Sequence, residues 1–361
     1  MKSLEECKDY FNTNMMSRAV DAEKQRKKFV SYWLIEMTKT VMISAVIIIV
    51  GMIISSNLKD DGSLGFLLFK AAPVIGSIVW ILIKIFTLGF KYLENMEAFR
   101  RYYRKQITDP MLKFMLPELS YKPEEGIDTE IIENSLIVPI YFTHGDSVSK
   151  YLLQPHDLLE GNFDGVSAKA SMLSLERRAD RVQCDSSGGL FFQAKLQDEF
   201  EGGVVIRREF TEEYLGENLL NLVDDIRTTL GKNDEKIYLN EDGDEEQTQS
   251  AQWQSLERYQ ADDEEFDNYY RIKTSDVDLA KKLLTGKRIS HMLEIAKAGN
   301  LLVQFSFYNG YFSAYFFRDN AHLFDIALEE VKNKVDNPDN MIRLHNELQV
   351  VHAMADEMVM E

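Results

Sequence analysis

Apolar positions recur along this chain with several different periods, and the most apolar stretch has no period at all. From Thr40 to Leu58 (TVMISAVIIIVGMIISSNL) no charged residue occurs, and Lys39 and Lys59 bracket the run. About nineteen residues of helix rise roughly 28 Å, close to the thickness of a bilayer's hydrocarbon core. After the polar turn KDDGS a second apolar run goes from Leu64 to Phe90. Two such runs joined by so short a turn predict a transmembrane helical hairpin over residues 39–90, with spans at 40–58 and 64–90. A signal peptide is a poor fit, because the first apolar core is too long, starts well inside the chain, and a second run follows.

The second run is less uniform. Lys70 and Lys84 interrupt it, and Pro73 removes one backbone donor. A charge at the bilayer centre costs at least about 2.5–3.5 kcal/mol, so each lysine needs a way out. The run is long enough to place both near the two headgroup levels, where lysine stems snorkel. The functional reading treats Lys70 and Lys84 as membrane-embedded charges of an ion or headgroup site in an oligomer of hairpins.

Lys and Arg near the spans predict orientation. Arg18, Lys24, Arg26, Lys27, Lys28 and Lys39 precede the first span; Lys91, Arg100, Arg101, Arg104 and Lys105 follow the second. The intervening turn has only Lys59 beside Asp60 and Asp61. The positive-inside rule then puts both termini and everything after the hairpin in the cytoplasm, with the hairpin in the plasma (inner) membrane.

Elsewhere the pattern is that of a soluble protein. Residues 1–38 form a cytosolic N-terminal helix, with Leu4, Cys7, Phe11, Met15, Phe29 and Trp33 along a weak apolar face. Residues 91–119 continue as a juxtamembrane helix, in which Thr108–Asp109 and Pro110 suggest a fresh start. A first α+β part spans 120–230, with strands expected at 135–141, 167–183, 190–196 and 204–210. The last two read as a hairpin around Glu201–Gly202–Gly203, and an amphipathic helix follows at 214–230. An acidic linker covers 231–265. The second part, 266–330, reads strand (269–273), helix (276–284), helix (288–298), hairpin, with Asn309–Gly310 between two alternating aromatic strands. Residues 331–361 close with an amphipathic helix, where Met341, Leu344, Leu348, Val351, Ala355 and Met358 recur at spacings of three and four. This seam is short, so it must pack either on the chain's own domain or on a second copy as an oligomer seam. The fold class is thus an α+β cytosolic module anchored by an N-terminal transmembrane helical hairpin.

Composition narrows the function. A net charge of −18 disfavours nucleic acid as a partner. Cys7 and Cys184 are the two cysteines, too few for a structural zinc site and, in a reducing cytosol, not a disulfide pair. His144 with Asp146 and His156 with Asp157 are weak catalytic candidates, since two imidazoles and two carboxylates could polarise water on a metal; their spacing matches no signature. Asp242, Asp244, Glu245 and Glu246 lack the spacing of a calcium loop, and Thr285–Gly286–Lys287 lacks the upstream glycine of a phosphate loop. No metal or cofactor is expected.

The segment DEEFDNYYRIKTSDVDLAKKLLTGKRISHMLEI (263–295), the hairpin VQFSFYNGYFSAYF (303–316), LPELSYKPEEGI (116–127) and FQAKLQDEF (192–200) together resemble a family of bacterial two-pass membrane proteins of unknown function, often encoded beside LemA-type proteins. The chain departs from it in lacking a proline after Leu284–Thr285 and in its unusually acidic linker. The resemblance, over most of residues 90–330, implies the architecture and no activity. The expected function is a membrane-anchored cytosolic binding or scaffold module without catalysis, with the bilayer, a homo-oligomer and a LemA-type membrane protein as partners. The alternatives are an oligomeric effector that senses a ligand and perturbs the bilayer, and a lipid- or nucleotide-processing enzyme.

Overall fold

The computed structural model describes residues 1–56, 64–138, 141–144, 147–163, 165–179, 182–208, 255–298, 303–318 and 334–359. The helix expected at 214–230 and most of the acidic segment lie outside them. The chain divides into a helical unit (Lys8–Met111 and Asp325–Met341) and a sheet unit (Met1–Cys7, Leu112–Phe324 and Ile342–Glu361).

Two nearly continuous helical rods make the first unit. α1 (Leu4–Tyr10), a π-helical turn (Phe11–Met15) and α2 (Met16–Ser56) follow without a break. So do α3 (Leu64–Tyr103), a second π turn (Arg104–Thr108) and α4 (Asp109–Met115). The fresh helix start expected at Asp109–Pro110 is therefore not made. A proline removes an N–H and crowds the carbonyl four residues back, and here a wider π turn leads into Pro110.

α2 (41 residues) and α3 (40 residues) each rise roughly 60 Å, about twice a hydrocarbon core. They run antiparallel. Trp33 and Tyr92 stack at 5.8 Å, Ser77 Oγ donates to the Ser44 carbonyl at 3.5 Å, and Pro73 packs on Gly51. A Cβ at Gly51 would lie 2.3 Å from Pro73 Cγ, so only glycine fits there. Both helices are long and apolar enough to cross a membrane. At one end of the pair, Phe11, Ala19, Ala22, Phe99, Tyr103 and Ile107 are buried. Towards the other end the order inverts: Val46, Ile53, Ile75 and Phe86 are exposed, while Ser44 and Ser77 are buried.

The sheet unit holds nine antiparallel strands in the order β1-β4-β5-β6-β11-β10-β7-β9-β8. They are β1 (Leu119–Lys122), β4 (Leu152–Phe163), β5 (Val166–Ala179), β6 (Val182–Lys195), β7 (Gly203–Arg208), β8 (Glu257–Tyr259), β9 (Tyr270–Thr274), β10 (Val303–Tyr308) and β11 (Tyr311–Arg318). β2 (Tyr141–His144) and β3 (Ser147–Lys150) form a separate ribbon. The Asn309–Gly310 turn carries positive φ at both residues, as a tight two-residue hairpin requires.

Alternation along the strands gives the sheet two apolar faces. One has Phe192, Phe305 and Phe307 each in ring contact with Phe312, with α6 (Glu264–Tyr269), α7 (Val277–Leu283) and α8 (Gly286–Ala298) supplying Phe266, Leu283 and Met292 to the core. The other has Leu173, Leu175, Phe191, Val205 and Tyr315 clustered with Ile132, Ile137 and Val138 from α5 (Thr129–Asn134) and the turn after it. Asp128, Asp263 and Asp276 cap α5, α6 and α7 through their carboxylates.

Three expectations change. Residues 190–196 and 204–210 do not pair as a hairpin, because β11 and β10 insert between β6 and β7. Of the strand expected at 135–141, residues 135–138 form a turn after α5, and β2 starts at Tyr141. The acidic segment does not run to 265: β8 and the Asp263 cap belong to the fold, and the strands on either side of it share one sheet.

The C-terminal helix, α9 (Asn340–Val359), carries the predicted seam. Met341, Leu344, Leu348, Val351 and Ala355 are all buried within the single chain, as is Met354; the Met358 side chain lies outside the described residues. Of the two alternatives for a short seam, burial within the chain is the one these residues fit.

Candidate functional site

The histidine–carboxylate candidates come together only in part. β4 carries a bulge in which Asp157 and Leu158 stand opposite the single residue Ser171. Asp157 takes positive φ there, and its N–H donates to the Pro123 carbonyl. This turns its carboxylate inward, where it is 1 % exposed and accepts the Tyr121 hydroxyl at 2.5 Å. His156 points outward, with Nε2 3.8 Å from the Asp157 carboxylate and Nδ1 3.2 Å from the Gln154 carbonyl. The bulge therefore pins β1 to β4 through Tyr121. His144 lies in the separate β2–β3 ribbon; its side chain and Asp146 lie outside the described residues. Among the described residues, no three His, Cys, Asp or Glu side chains group as metal ligands. Thr285 receives the Arg288 N–H on its Oγ1 and caps α8, which accounts for the Thr-Gly-Lys sequence. Cys7 is buried, and burial followed by the Glu6 charge pushes its thiol up to about 11.

The helical pair holds a more informative group. Lys84 is half-buried, with its ammonium 5.0 Å from the centre of the Trp80 ring. Across from it on α2, Glu36 receives a 2.8 Å bond from Lys39. That bond holds the Glu36 carboxyl below its usual range against the opposing effect of burial, and the charges of Lys39, Lys84 and Lys91 add to the shift. Lys84 therefore sits level with a residue before the first span, as snorkelling requires. Trp33 and Tyr92 meet at a tilted angle about two turns further along α3. The Lys70 side chain lies outside the described residues.

One polar pair in this unit was not singled out from the sequence. Arg26 binds Glu23 through Nε at 2.8 Å and through a second guanidinium nitrogen at 2.9 Å, with both residues at most 5 % exposed. Glu23 also accepts the Val335 N–H, which ties the approach to α9 onto the helices. The spacing of three within a basic run was the available signal, but it reads equally as a solvated helix face.

A family described as "Protein of unknown function (DUF3137)" matches residues 188–359. The C-terminal part of the chain carries a DUF3137 domain. The DUF3137 domain takes in the end of β6, strands β7 to β11 and helices α6 to α9, and leaves out β1, β4, β5 and the long helices. Of the segments that suggested a family from sequence, the two longest fall inside it and LPELSYKPEEGI lies outside. No curated protein and no solved structure matches the chain.

Proposed function

We propose that this chain is a membrane-anchored binding or scaffold protein, whose hairpin holds the sheet unit against the cytoplasmic face of a bacterial plasma membrane. The observation that carries the reading is the inverted half of α2 and α3, where aliphatic side chains point outward and hydroxyls inward. An aqueous surroundings would penalise that arrangement, and hydrocarbon would not. Lys and Arg crowd the ends of the pair away from the connecting turn, which favours both termini inside. The sheet unit is given a binding role and no catalytic step.

A LemA-type membrane protein is the first partner to test, on the strength of the sequence resemblance, by co-purification from shared membranes. A homo-oligomer is placed on the outer surfaces of α2 and α3, where aliphatic side chains are exposed. Cysteine labelling tests the topology in a background lacking Cys7 and Cys184. A cysteine replacing Asp61 should label from outside, and one replacing Asn240 only after lysis. Outside labelling at Asn240 would remove the cytoplasmic assignment, and release of the protein by alkaline carbonate would remove the anchor.

A further inference from the structure

α3 presents a row of four residues at spacings of four, three and four: Trp80, Lys84, Thr87 and Lys91. Side chains so spaced share one helix face. Thr87 is also part of a shallow apolar groove along α3, lined otherwise by Val79, Leu82, Ile83, Phe86 and Phe90. The row and the groove are thus neighbours, with cationic tips beside a trough of hydrocarbon. Lys84 and Lys91 lie about 10 Å apart along the helix axis, a gap that two lysine arms can close around one phosphate.

Charge at this level is unbalanced. Glu36 is the carboxylate that faces it from α2, and Lys39 already bonds it at 2.8 Å. Glu94 lies one turn beyond Lys91, away from the groove. Among the described residues neither Lys84 nor Lys91 forms an ion pair. Lys84 instead rests over the Trp80 face, where an aromatic quadrupole substitutes for a counter-charge. An ammonium at the edge of hydrocarbon, held by a ring and sharing only the field of Glu36, is poised for a ligand that brings a direct anionic partner.

We infer that this face of α3 binds one anionic phospholipid, with its phosphodiester between Lys84 and Lys91 and an acyl chain in the groove from Phe90 towards Val79. The groove decides for a lipid over free phosphate, because an inorganic ion would leave its five apolar side chains unused. Glu36 competes with the phosphate for the lysines and tunes the site. The inference rests on the membrane-anchor reading given above.

The test uses the full chain purified in a mild detergent, with native mass spectrometry counting retained lipid during titration with phosphatidylglycerol or phosphatidylcholine. One phosphatidylglycerol should be retained in preference to phosphatidylcholine. Lys84→Gln with Lys91→Gln should weaken it about 25-fold, near fivefold for each lysine removed. Glu36→Gln should strengthen retention, whereas lysines that serve only as partners of Glu36 would give no gain. Millimolar inorganic phosphate should not displace the lipid. Equal retention of phosphatidylcholine, an unchanged double variant, or displacement by phosphate would each overturn the lipid site. Carbonate extraction of the same variants keeps the two readings apart, since loss of lipid selectivity with the chain still in membranes counts against the site alone.

Discussion

The two ends of the α2–α3 pair are built from the same helices and sorted by opposite rules. Near Phe11 and Phe99 the contact face is aromatic and aliphatic, and charges such as Lys24 and Glu97 point out. Near Ser44 and Ser77 the contact face is hydroxyl, glycine and proline, and the aliphatic side chains point out. In water the apolar face must be hidden, so the first end is held by burial. In hydrocarbon, apolar surface gains nothing by being hidden, and small residues that let backbones approach take over. On the proposed membrane-anchor reading, a single pair of helices records where its surroundings change.

Removing one partner of the buried pair should have the largest effect. Arg26→Met leaves the Glu23 carboxylate buried without its bidentate partner, and should cost about 3–5 kcal/mol. Hydrogen exchange should rise at the Val335 amide in particular, while carbonate-resistant membrane association persists. Loss of both together would mean that the two ends are not held by separate forces.

Phe99→Ala against Phe86→Ala is the most direct comparison, since Phe99 is 1 % exposed and Phe86 67 %. Thermal unfolding in detergent should register about 3–5 kcal/mol for the first and under about 0.5 kcal/mol for the second. Equal losses would show Phe86 to be packed against protein.

Gly51→Val sets a methyl-bearing side chain where Pro73 already sits, and about 1–3 kcal/mol of overpacking should follow. The expected readout is a lengthened distance between spin labels on α2 and α3 at that level, with the Phe99 end undisturbed.

Acid should act at one end only. Burial raises the Glu23 carboxyl, but the Arg26 and Val335 hydrogen bonds and the charges of Arg26 and Lys27 outweigh it, so the net direction is downward. A carboxyl lower when folded stabilises above its unfolded value of about 4.3 and loses that contribution as pH falls through the folded value. Protection of the Val335 amide, with exchange corrected for its intrinsic pH dependence, should therefore fall below about pH 4 and stay flat from there to neutrality; a change between pH 6 and 7 would implicate a different group.

How much of this was legible in the sequence depended on how local the cause was. Thr40 to Leu58 needs no partner to be read as helix, and Asn309–Gly310 dictates its hairpin through two positive φ angles. The α9 seam was legible as a seam, but heptad spacing says that a face is buried and not by which chain. The bulge at Asp157 depends on Tyr121, a residue 36 positions away, so the His156–Asp157 pair could not be told from a catalytic one in advance. Lys84 was placed near a headgroup level from run length alone, while Glu36 opposite it became visible only when α2 and α3 were in register.

The interposed hairpin also sets a timetable. β6 and β7 are joined through residues 196–202, yet β10 and β11, which lie between them, are made about a hundred residues later. Three strand spacings amount to about 14 Å, and seven extended residues reach roughly 24 Å, so the short link can hold the slot at its final width. Until residue 318 leaves the ribosome, both rims of that slot show unpaired backbone to solvent. The apolar helices at the start of the chain have by then been synthesised for over two hundred residues. On the proposed membrane-anchor reading, nascent copies would finish folding already spread across a surface, where chains bearing the same open slot are kept apart at the moment each is most able to pair with another.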